Sequence, residues 1–127
     1  MTNRETIERY VEALQHGGEV GRFFAEDATW SLDGRLPLSG TWRGREAILN
    51  DFLGQIGSLY EPGSVSIEVT SLVADADRVA LEWTSRARTS DGEPYENHCA
   101  GVFTLADGRI TAVREYMDTD YAYRAFN

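Results

Sequence analysis

The chain has 127 residues, of which 42% are hydrophobic and 11% aromatic, and its formal net charge is −9. This length favours one domain, residues 1–127, with a core large enough to be stable without disulfide or metal cross-links. So acidic a chain repels phosphate groups, which argues against nucleic acids and anionic membrane surfaces as partners. Cys99 is the single cysteine, so an internal disulfide is excluded. With no apolar run at the amino terminus, the sequence predicts a soluble cytoplasmic protein.

The first half of the chain carries the helical patterns. Thr2 and Glu5 have the spacing of a capping box, and apolar residues follow at helical intervals. A short helix is predicted over residues 19–24, followed by two short strands in ATWSLDG and LPLSGTW. Helical spacing of apolar residues returns over residues 44–57, which predicts a further helix.

The second half of the chain carries the strand patterns. Apolar and polar residues alternate from VSIEVTSLVAD onward, and the runs are rich in β-branched residues. Tight turns are predicted at residues 75–77, 91–92 and 107–108, the last two being Asp-Gly pairs typical of hairpins. Helices followed by a four-stranded antiparallel meander predict an α+β fold, in which the helices pack on one face of a curved sheet.

Alternation divides each strand of the meander between two faces of the sheet. Leu81 and Trp83 indicate the helix-covered face of their strand. Glu82 and Arg86 are therefore expected on the outer face, against solvent or a second subunit. Periodicity alone does not assign Glu115 in the last strand-like stretch, ITAVREYMDTDYAYRAF, because both of its residue sets mix apolar and polar side chains.

Four stretches, RYVEAL, FFAEDATW, GREAI and GVFTLADGRITAVREYMDT, resemble the nuclear transport factor 2-like (NTF2-like) superfamily, in its SnoaL-like and ketosteroid isomerase-like branch. The resemblance covers nearly the whole chain. It implies a cystatin-like α+β cone, in which a strongly curved mixed or antiparallel sheet wraps around N-terminal helices and encloses a deep apolar pocket. Unrelated chemistries share this scaffold, so the resemblance predicts the fold more sharply than the activity.

The resemblance to ketosteroid isomerases transfers one catalytic residue only. Tyr10 in RYVEAL matches the tyrosine that donates a hydrogen bond to the substrate oxyanion. Leu32 stands where those enzymes carry the general-base aspartate, and their second carboxyl falls near Gly101. Asp33 has the opposite strand parity, so a one-residue slip would be needed to bring it into the site. Both carboxyls of the isomerase site are therefore missing.

The resemblance to limonene epoxide hydrolases and SnoaL-like polyketide cyclases concerns the carboxylates of the last strand. Glu115 matches one aspartate of the hydrolase Asp-Arg-Asp set, which places it on the pocket side. The other two hydrolase positions hold Trp83 and Ser85. Asp118 matches the acid/base aspartate of the cyclases, whereas His98 has the wrong parity to be its histidine partner.

These matches predict catalytic roles for Glu115, Tyr10 and Asp118. An unpaired carboxyl in an apolar cone has a raised pKa, which suits general acid/base chemistry. Each residue also has a structural alternative. Glu115 would hydrogen-bond Asn97 or the Trp83 Nε1, Asp118 would cap the turn into YAYRAF, and Tyr10 would be a core residue with a satisfied hydroxyl.

Six further residues are predicted to contact a ligand inside the cone. They are Trp30, Leu32, Trp83, Asn97, Cys99 and Met117. For Asn97 the alternative is a hydrogen bond to a neighbouring strand, and for Cys99 it is a small buried hydrophobe. No histidine lies at a recognisable ligand spacing from a carboxylate, so no metal is expected.

The sequence thus predicts a protein that binds a hydrophobic small molecule of polyketide, terpenoid or steroid type in a deep pocket, without a cofactor. On one hypothesis the protein is an acid/base isomerase, cyclase or (de)hydratase. On another it is a non-catalytic ligand-binding or dimerisation domain, which the incomplete carboxylate sets favour. A protein-interaction role as in nuclear transport rests on the fold alone. Homodimerisation through the outer sheet face is expected from the resemblance.

Overall fold

The computed structural model describes residues 1–126, which form one sheet and the helices that cover one of its faces. The helices are α1 (Asn3–Gln15), α2 (Gly54–Ser58) and α3 (Thr119–Ala125). A 3₁₀ turn covers Gly21–Phe23, and a π-helical segment, Ala47–Leu53, runs directly into α2. The strands are β1 (Phe24–Leu32), β2 (Gly40–Arg43), β3 (Ser66–Asp75), β4 (Arg78–Arg88), β5 (Pro94–Ala106) and β6 (Arg109–Met117).

The six strands lie in the order β2-β1-β6-β5-β4-β3. Strands β3 to β6 form the predicted antiparallel meander, with consecutive strands paired along their length and with register shifts between Val69 and Ser71 in β3 and between Thr104 and Leu105 in β5. Strand β1 pairs antiparallel with β2 and parallel with β6. This parallel pairing, which the sequence patterns did not predict, places the first strand of the chain beside the last.

The ends of several elements have local causes in the sequence. The predicted capping box begins α1: Thr2 Oγ1 accepts from the Glu5 backbone N–H at 3.1 Å, and Glu5 Oε1 accepts from the Thr2 N–H at 3.0 Å. The helix predicted over residues 19–24 is only the 3₁₀ turn. The last strand-like stretch ends at Met117, because the Asp118 side chain accepts from the Tyr121 N–H at 3.0 Å and starts α3.

The turns of the meander lie where the sequence predicted them. Between β5 and β6, Asp107 (φ 53°) and Gly108 (φ 76°) are both left-handed, as a two-residue type I′ hairpin requires. Between β3 and β4 the chain turns at Ala76, which also has a positive φ of 52°. These turns set the register that decides which side chains face the helices.

The core lies between the helices and the inner, helix-covered face of the sheet. Five aromatic rings contact one another at its centre, with centroid separations between 5.3 and 6.2 Å; they are Tyr10, Phe24, Trp30, Phe52 and Phe103. Such edge-on and tilted contacts are the favoured geometries for aromatic pairs. Within residues 1–126, no helix is long and apolar enough to cross a membrane.

Candidate functional site

Two chambers open between the helices and the inner face of the sheet. The first chamber has a volume of about 230 Å³ and lies between the β1–β2 connection, α2, α3 and strands β4 to β6. The second chamber has a volume of about 320 Å³ and lies between α1, α2 and strands β3 and β4. Four residues line both chambers and form the seam between them: Ile56, Tyr60, Ser85 and Glu115.

Glu115 is the one ionisable carboxyl at this seam. Its residue is 7% exposed, and Oε1 accepts a hydrogen bond from Trp30 Nε1 at 3.0 Å. Across residues 1–126 no lysine, arginine or histidine forms an ion pair with it. Burial raises the pKa of Glu115 to about 7, and the hydrogen bond from Trp30 partly opposes that rise. Near neutral pH the carboxyl is therefore present in both protonation states, as a general acid/base requires.

The hydrogen-bond partner of Glu115 differs from both predicted alternatives. Neither Asn97 nor Trp83 Nε1 reaches the carboxyl; the donor is Trp30 on β1. The parallel pairing of β1 with β6 explains the difference, because it sets Trp30 opposite Val113, two residues before Glu115. That pairing could not be derived from the alternation of the meander strands.

Tyr10 on α1 lies in the second chamber. Its ring is 2% exposed and packs edge-on against Phe24 at 5.6 Å. In the part of the chain that the structure describes, the Tyr10 hydroxyl has no hydrogen-bond partner, so the predicted alternative of a satisfied core hydroxyl is wrong. Burial, and secondarily the nearby Glu115, raise the pKa of Tyr10 and keep the hydroxyl protonated. An unsatisfied buried hydroxyl costs about 1–3 kcal/mol, which a ligand oxygen in this chamber would recover.

The two isomerase carboxyl positions lie on either side of Glu115. Leu32 on β1 and Gly101 on β5 are its backbone partners across the sheet. A Cβ at Gly101 would stand 3.0 Å from Phe103 Cε1 and 3.2 Å from Trp83 Cζ3, so aromatic rings fill the space there. Asp33 is exposed beyond the end of β1, and no slip in register brings it inside. The site thus has its carboxyl on the strand between the two positions.

Asp118 and Asn97 stabilise the start of α3, and neither lines a chamber. Asp118 is exposed and caps the helix, as its structural alternative predicted. The Asn97 Nδ2 donates to Tyr95 Oη at 3.0 Å and to the Asp118 carbonyl at 3.1 Å, while its Oδ1 accepts from the Asp118 N–H at 3.2 Å. The Asn97 amide therefore joins β5 to the start of α3 and does not line either chamber. Its partners are Tyr95 on its own strand and the Asp118 backbone, and not a side chain on a neighbouring strand as the structural alternative had it.

The other predicted ligand-contacting residues line the chamber walls. Leu32, Cys99 and Met117 line the first chamber. Trp30 and Trp83 line the second. Burial, followed by the nearby Glu115, raises the pKa of the Cys99 thiol to about 12, so the thiol stays protonated and acts as part of an apolar wall.

Sequence reasoning missed Tyr60, which lines both chambers. Its ring lies 5.5 Å from that of Tyr95 and 5.6 Å from that of Phe126. Burial, then the Tyr95 hydroxyl, and then more distant groups including Glu115 raise the pKa of Tyr60. The residue follows α2 in a stretch with no periodicity, and a backbone bridge to Thr89 holds it in place. No local pattern in the sequence could have shown that it faces inward.

A family model described as the SnoaL-like domain matches residues 7–113, which is most of the chain. The chain belongs to the SnoaL-like family. This confirms the predicted membership of the NTF2-like superfamily. No curated protein matches the chain.

Solved structures agree with this assignment. Bal32a, from a soil-derived mobile gene cassette, is 28% identical, with 98% of this chain and 96% of that chain covered and a TM-score of 0.86. An NTF2-like protein from Burkholderia xenovorans LB400 is 27% identical over 98% of this chain and 95% of that chain, with a TM-score of 0.80.

A protein with a cystatin-like fold from Xanthomonas campestris matches with a TM-score of 0.85 at 24% identity, over 99% of this chain and 98% of that chain. Identity at this level shows the fold alone. Together with the six-stranded mixed sheet and its helices, it confirms the predicted cystatin-like α+β architecture.

Proposed function

We propose that this SnoaL-like protein binds a hydrophobic small molecule of polyketide, terpenoid or steroid type in the two chambers, and that Glu115 moves a proton on it without a cofactor. The observation that carries the proposal is the state of Glu115: a carboxyl buried in an apolar cavity, with one hydrogen bond and a pKa of about 7. Such a group accepts and returns a proton at neutral pH.

Tyr10 would complement Glu115 as the donor to a ligand oxygen. In an isomerisation, the Glu115 carboxylate takes a proton from the carbon next to a carbonyl, and the C–H electrons form an enolate. The protonated Tyr10 hydroxyl donates to the enolate oxygen, and Glu115 returns the proton at another carbon. Cyclisation and (de)hydration need the same two functions. The apolar walls keep water away from the charged intermediate, which strengthens both interactions.

Exchange of carbon-bound hydrogen tests this proposal without knowledge of the natural substrate. A panel of hydrophobic ketones is incubated with the protein in D₂O, and deuterium uptake next to the carbonyl is followed by NMR. We expect Glu115→Gln to slow the exchange by about 10²–10⁴-fold and Tyr10→Phe by about 10²-fold. The control Asp118→Asn, outside both chambers, should exchange as the wild type does. Full exchange in both the Gln and Phe variants would refute the acid/base roles.

A non-catalytic binding domain is the second candidate, and one observation favours it. Among residues 1–126, Glu115 is the only carboxylate that lines either chamber. The hydrolase-type reaction needs more charged groups than this site contains. If ketones and terpenoids bind, as followed by calorimetry, while no member of the panel exchanges hydrogen above the uncatalysed rate, the binding role is the correct one.

We also propose that two copies associate through the outer sheet face. Val73 and Tyr116 are 61% and 44% exposed there, and Val73 pairs in register with Ala80, which pairs with Val102. Covering these apolar side chains would favour a dimer. Light scattering after size exclusion should give twice the chain mass, and Val73→Asp with Tyr116→Asp should lower it. A monomer at micromolar concentration would contradict the proposal.

A further inference from the structure

The polar groups of the cavity meet at the seam between the chambers. Of the four residues that line both, Tyr60, Ser85 and Glu115 carry hydrogen-bonding side chains, and only Ile56 is apolar. Tyr60 and Ile56 project from the helical side, whereas Ser85 and Glu115 project from β4 and β6 of the sheet. A ligand atom at the seam would therefore have polar partners on two sides.

The walls beyond the seam are mainly apolar on both sides. The first chamber continues between Leu32, Leu36 and Met117. The second continues between residues such as Leu81 and Trp83. The Tyr10 hydroxyl is a further buried polar group on the second-chamber side of Glu115, whose charge is close enough to raise the pKa of Tyr10. The two chambers are thus polar where they adjoin and mainly apolar away from the seam.

The sizes of the chambers agree with one ligand that uses both. Binding sites for small molecules commonly measure about 300–1,000 Å³. The first chamber, at about 230 Å³, is below that range, and the second, at about 320 Å³, is at its lower limit. Taken together, the two fall well within the range. A ligand confined to one chamber would also leave half of the apolar wall without a partner.

We propose that the ligand is an elongated molecule with two apolar arms joined through an oxygen-bearing carbon. One arm lies in each chamber. The oxygen lies at the seam beside Glu115 and Tyr60, and it faces the second chamber, which Tyr10 lines. This inference rests on the proposed function, since it takes the ligand to be a hydrophobic small molecule in this cavity. Within the classes proposed above, it selects polyketide-type ketones with a central carbonyl over steroid ketones whose oxygen lies at one end.

The test compares a two-armed ketone, 1,3-diphenylpropan-2-one, with its one-armed counterpart, phenylacetone, by titration calorimetry on the full chain. The two-armed ketone should bind at least about tenfold more tightly. One filling variant is made in each chamber: Cys99→Phe in the first and Ala87→Phe in the second. Each should weaken binding of the two-armed ketone by about tenfold or more. A variant in one chamber that has no effect would overturn the proposal.

A second pair of variants keeps the test valid if Cys99→Phe or Ala87→Phe does not fold. Leu36→Trp and Val65→Trp narrow the first and second chambers from partly or fully exposed positions, so the fold tolerates them more readily. Each should weaken binding of the two-armed ketone as the Phe variants do. A two-armed ketone that binds no more tightly than phenylacetone, including one that does not bind, also overturns the proposal.

The spanning proposal and the acid/base proposal fail separately. If both chambers matter for binding but the methylene hydrogens of the two-armed ketone do not exchange, the ligand spans the seam and the catalytic role of Glu115 is wrong. If exchange occurs and depends on Glu115 while only one chamber affects binding, the catalytic role stands and the spanning proposal is wrong.

Discussion

The two faces of the sheet carry carboxylates under opposite conditions. On the outer face, Arg86 donates to Glu68 at 2.8 Å and to Glu96 at 2.9 Å, and all three side chains are about half exposed. On the inner face, Glu115 is buried without a cation and accepts one hydrogen bond from Trp30. The strands involved are neighbours, and only the direction of the side chains differs.

The comparison shows that the destabilising carboxylate is the buried Glu115 and not the exposed ones. Exposed ion pairs like those of Arg86 contribute little to the free energy of unfolding, because water and salt screen both charges. A buried, unpaired carboxyl opposes folding whenever it is ionised, and an apolar side chain of similar size would be more stable. Stability therefore does not explain Glu115, which supports the proposed proton-transfer role.

The largest expected effect is on the pH dependence of stability. The pKa of Glu115 is raised from 4.5 to about 7 on folding, so the folded state holds a proton that the unfolded state releases. The free energy of unfolding contributed by Glu115 should fall as the pH rises from about 4.5 through about 7, by about 3 kcal/mol. Glu115→Gln should remove this fall and be the more stable protein at pH 8.

Urea unfolding between pH 5 and pH 8.5 measures this difference. Glu96→Gln on the outer face is the matched control, and its curve should remain close to that of the wild type. Equal stability of Glu115→Gln and the wild type at both ends of the pH range would show that Glu115 is not the buried acid described here.

The next effect concerns the hydrogen bond from Trp30. Trp30→Phe removes the donor that opposes the rise in the Glu115 pKa, so the pKa should move further upward. At pH 8 the lost bond to a charged group should cost about 2 kcal/mol. Trp42→Phe is the control, because the Trp42 Nε1 donates to the Leu38 carbonyl and not to Glu115. If both variants leave the pH at which stability falls unchanged, Trp30 does not tune the carboxyl.

A smaller effect is expected from filling the space opposite Glu115. Gly101→Ala would place a Cβ against the rings of Phe103 and Trp83, so we expect a destabilisation of about 1–2 kcal/mol. Gly57→Ala on α2 meets no atom within 4 Å and should instead stabilise the protein by about 0.5–1 kcal/mol. Thermal unfolding of the pair tests both. A neutral Gly101→Ala would mean that the rings move aside.

The smallest effect belongs to the outer face. Arg86→Gln removes the donor to Glu68 and Glu96, and the expected loss of unfolding free energy is the smallest of the set, because all three side chains are exposed to water. The loss should shrink further in 1 M salt, because exposed charges are screened. A loss as large as that of Trp30→Phe, or one that salt does not change, would contradict the contrast between the two faces.

Much of the fold was predictable because it depends on local chemistry. The Thr2–Glu5 capping box, the Asp107-Gly108 turn and the alternation of the meander strands are each encoded within a few residues. The family resemblance correctly predicted that the Glu115 side chain faces the interior, which alternation alone did not predict. Tyr60 and the donor to Glu115 were missed, since each depends on elements far apart in the chain.

By itself, the sequence determined the order of the elements, the turns of the meander and the presence of one carboxylate among apolar inner positions. Only the tertiary structure decided that Trp30 would be its partner, that Asp118 and Asn97 would serve α3, and that Tyr60 would join two chambers. The reason is physical. Caps and turns are set by neighbouring residues, whereas the surroundings of Glu115 are set by the parallel pairing of β1 with β6 and by the packing of α2 over the sheet.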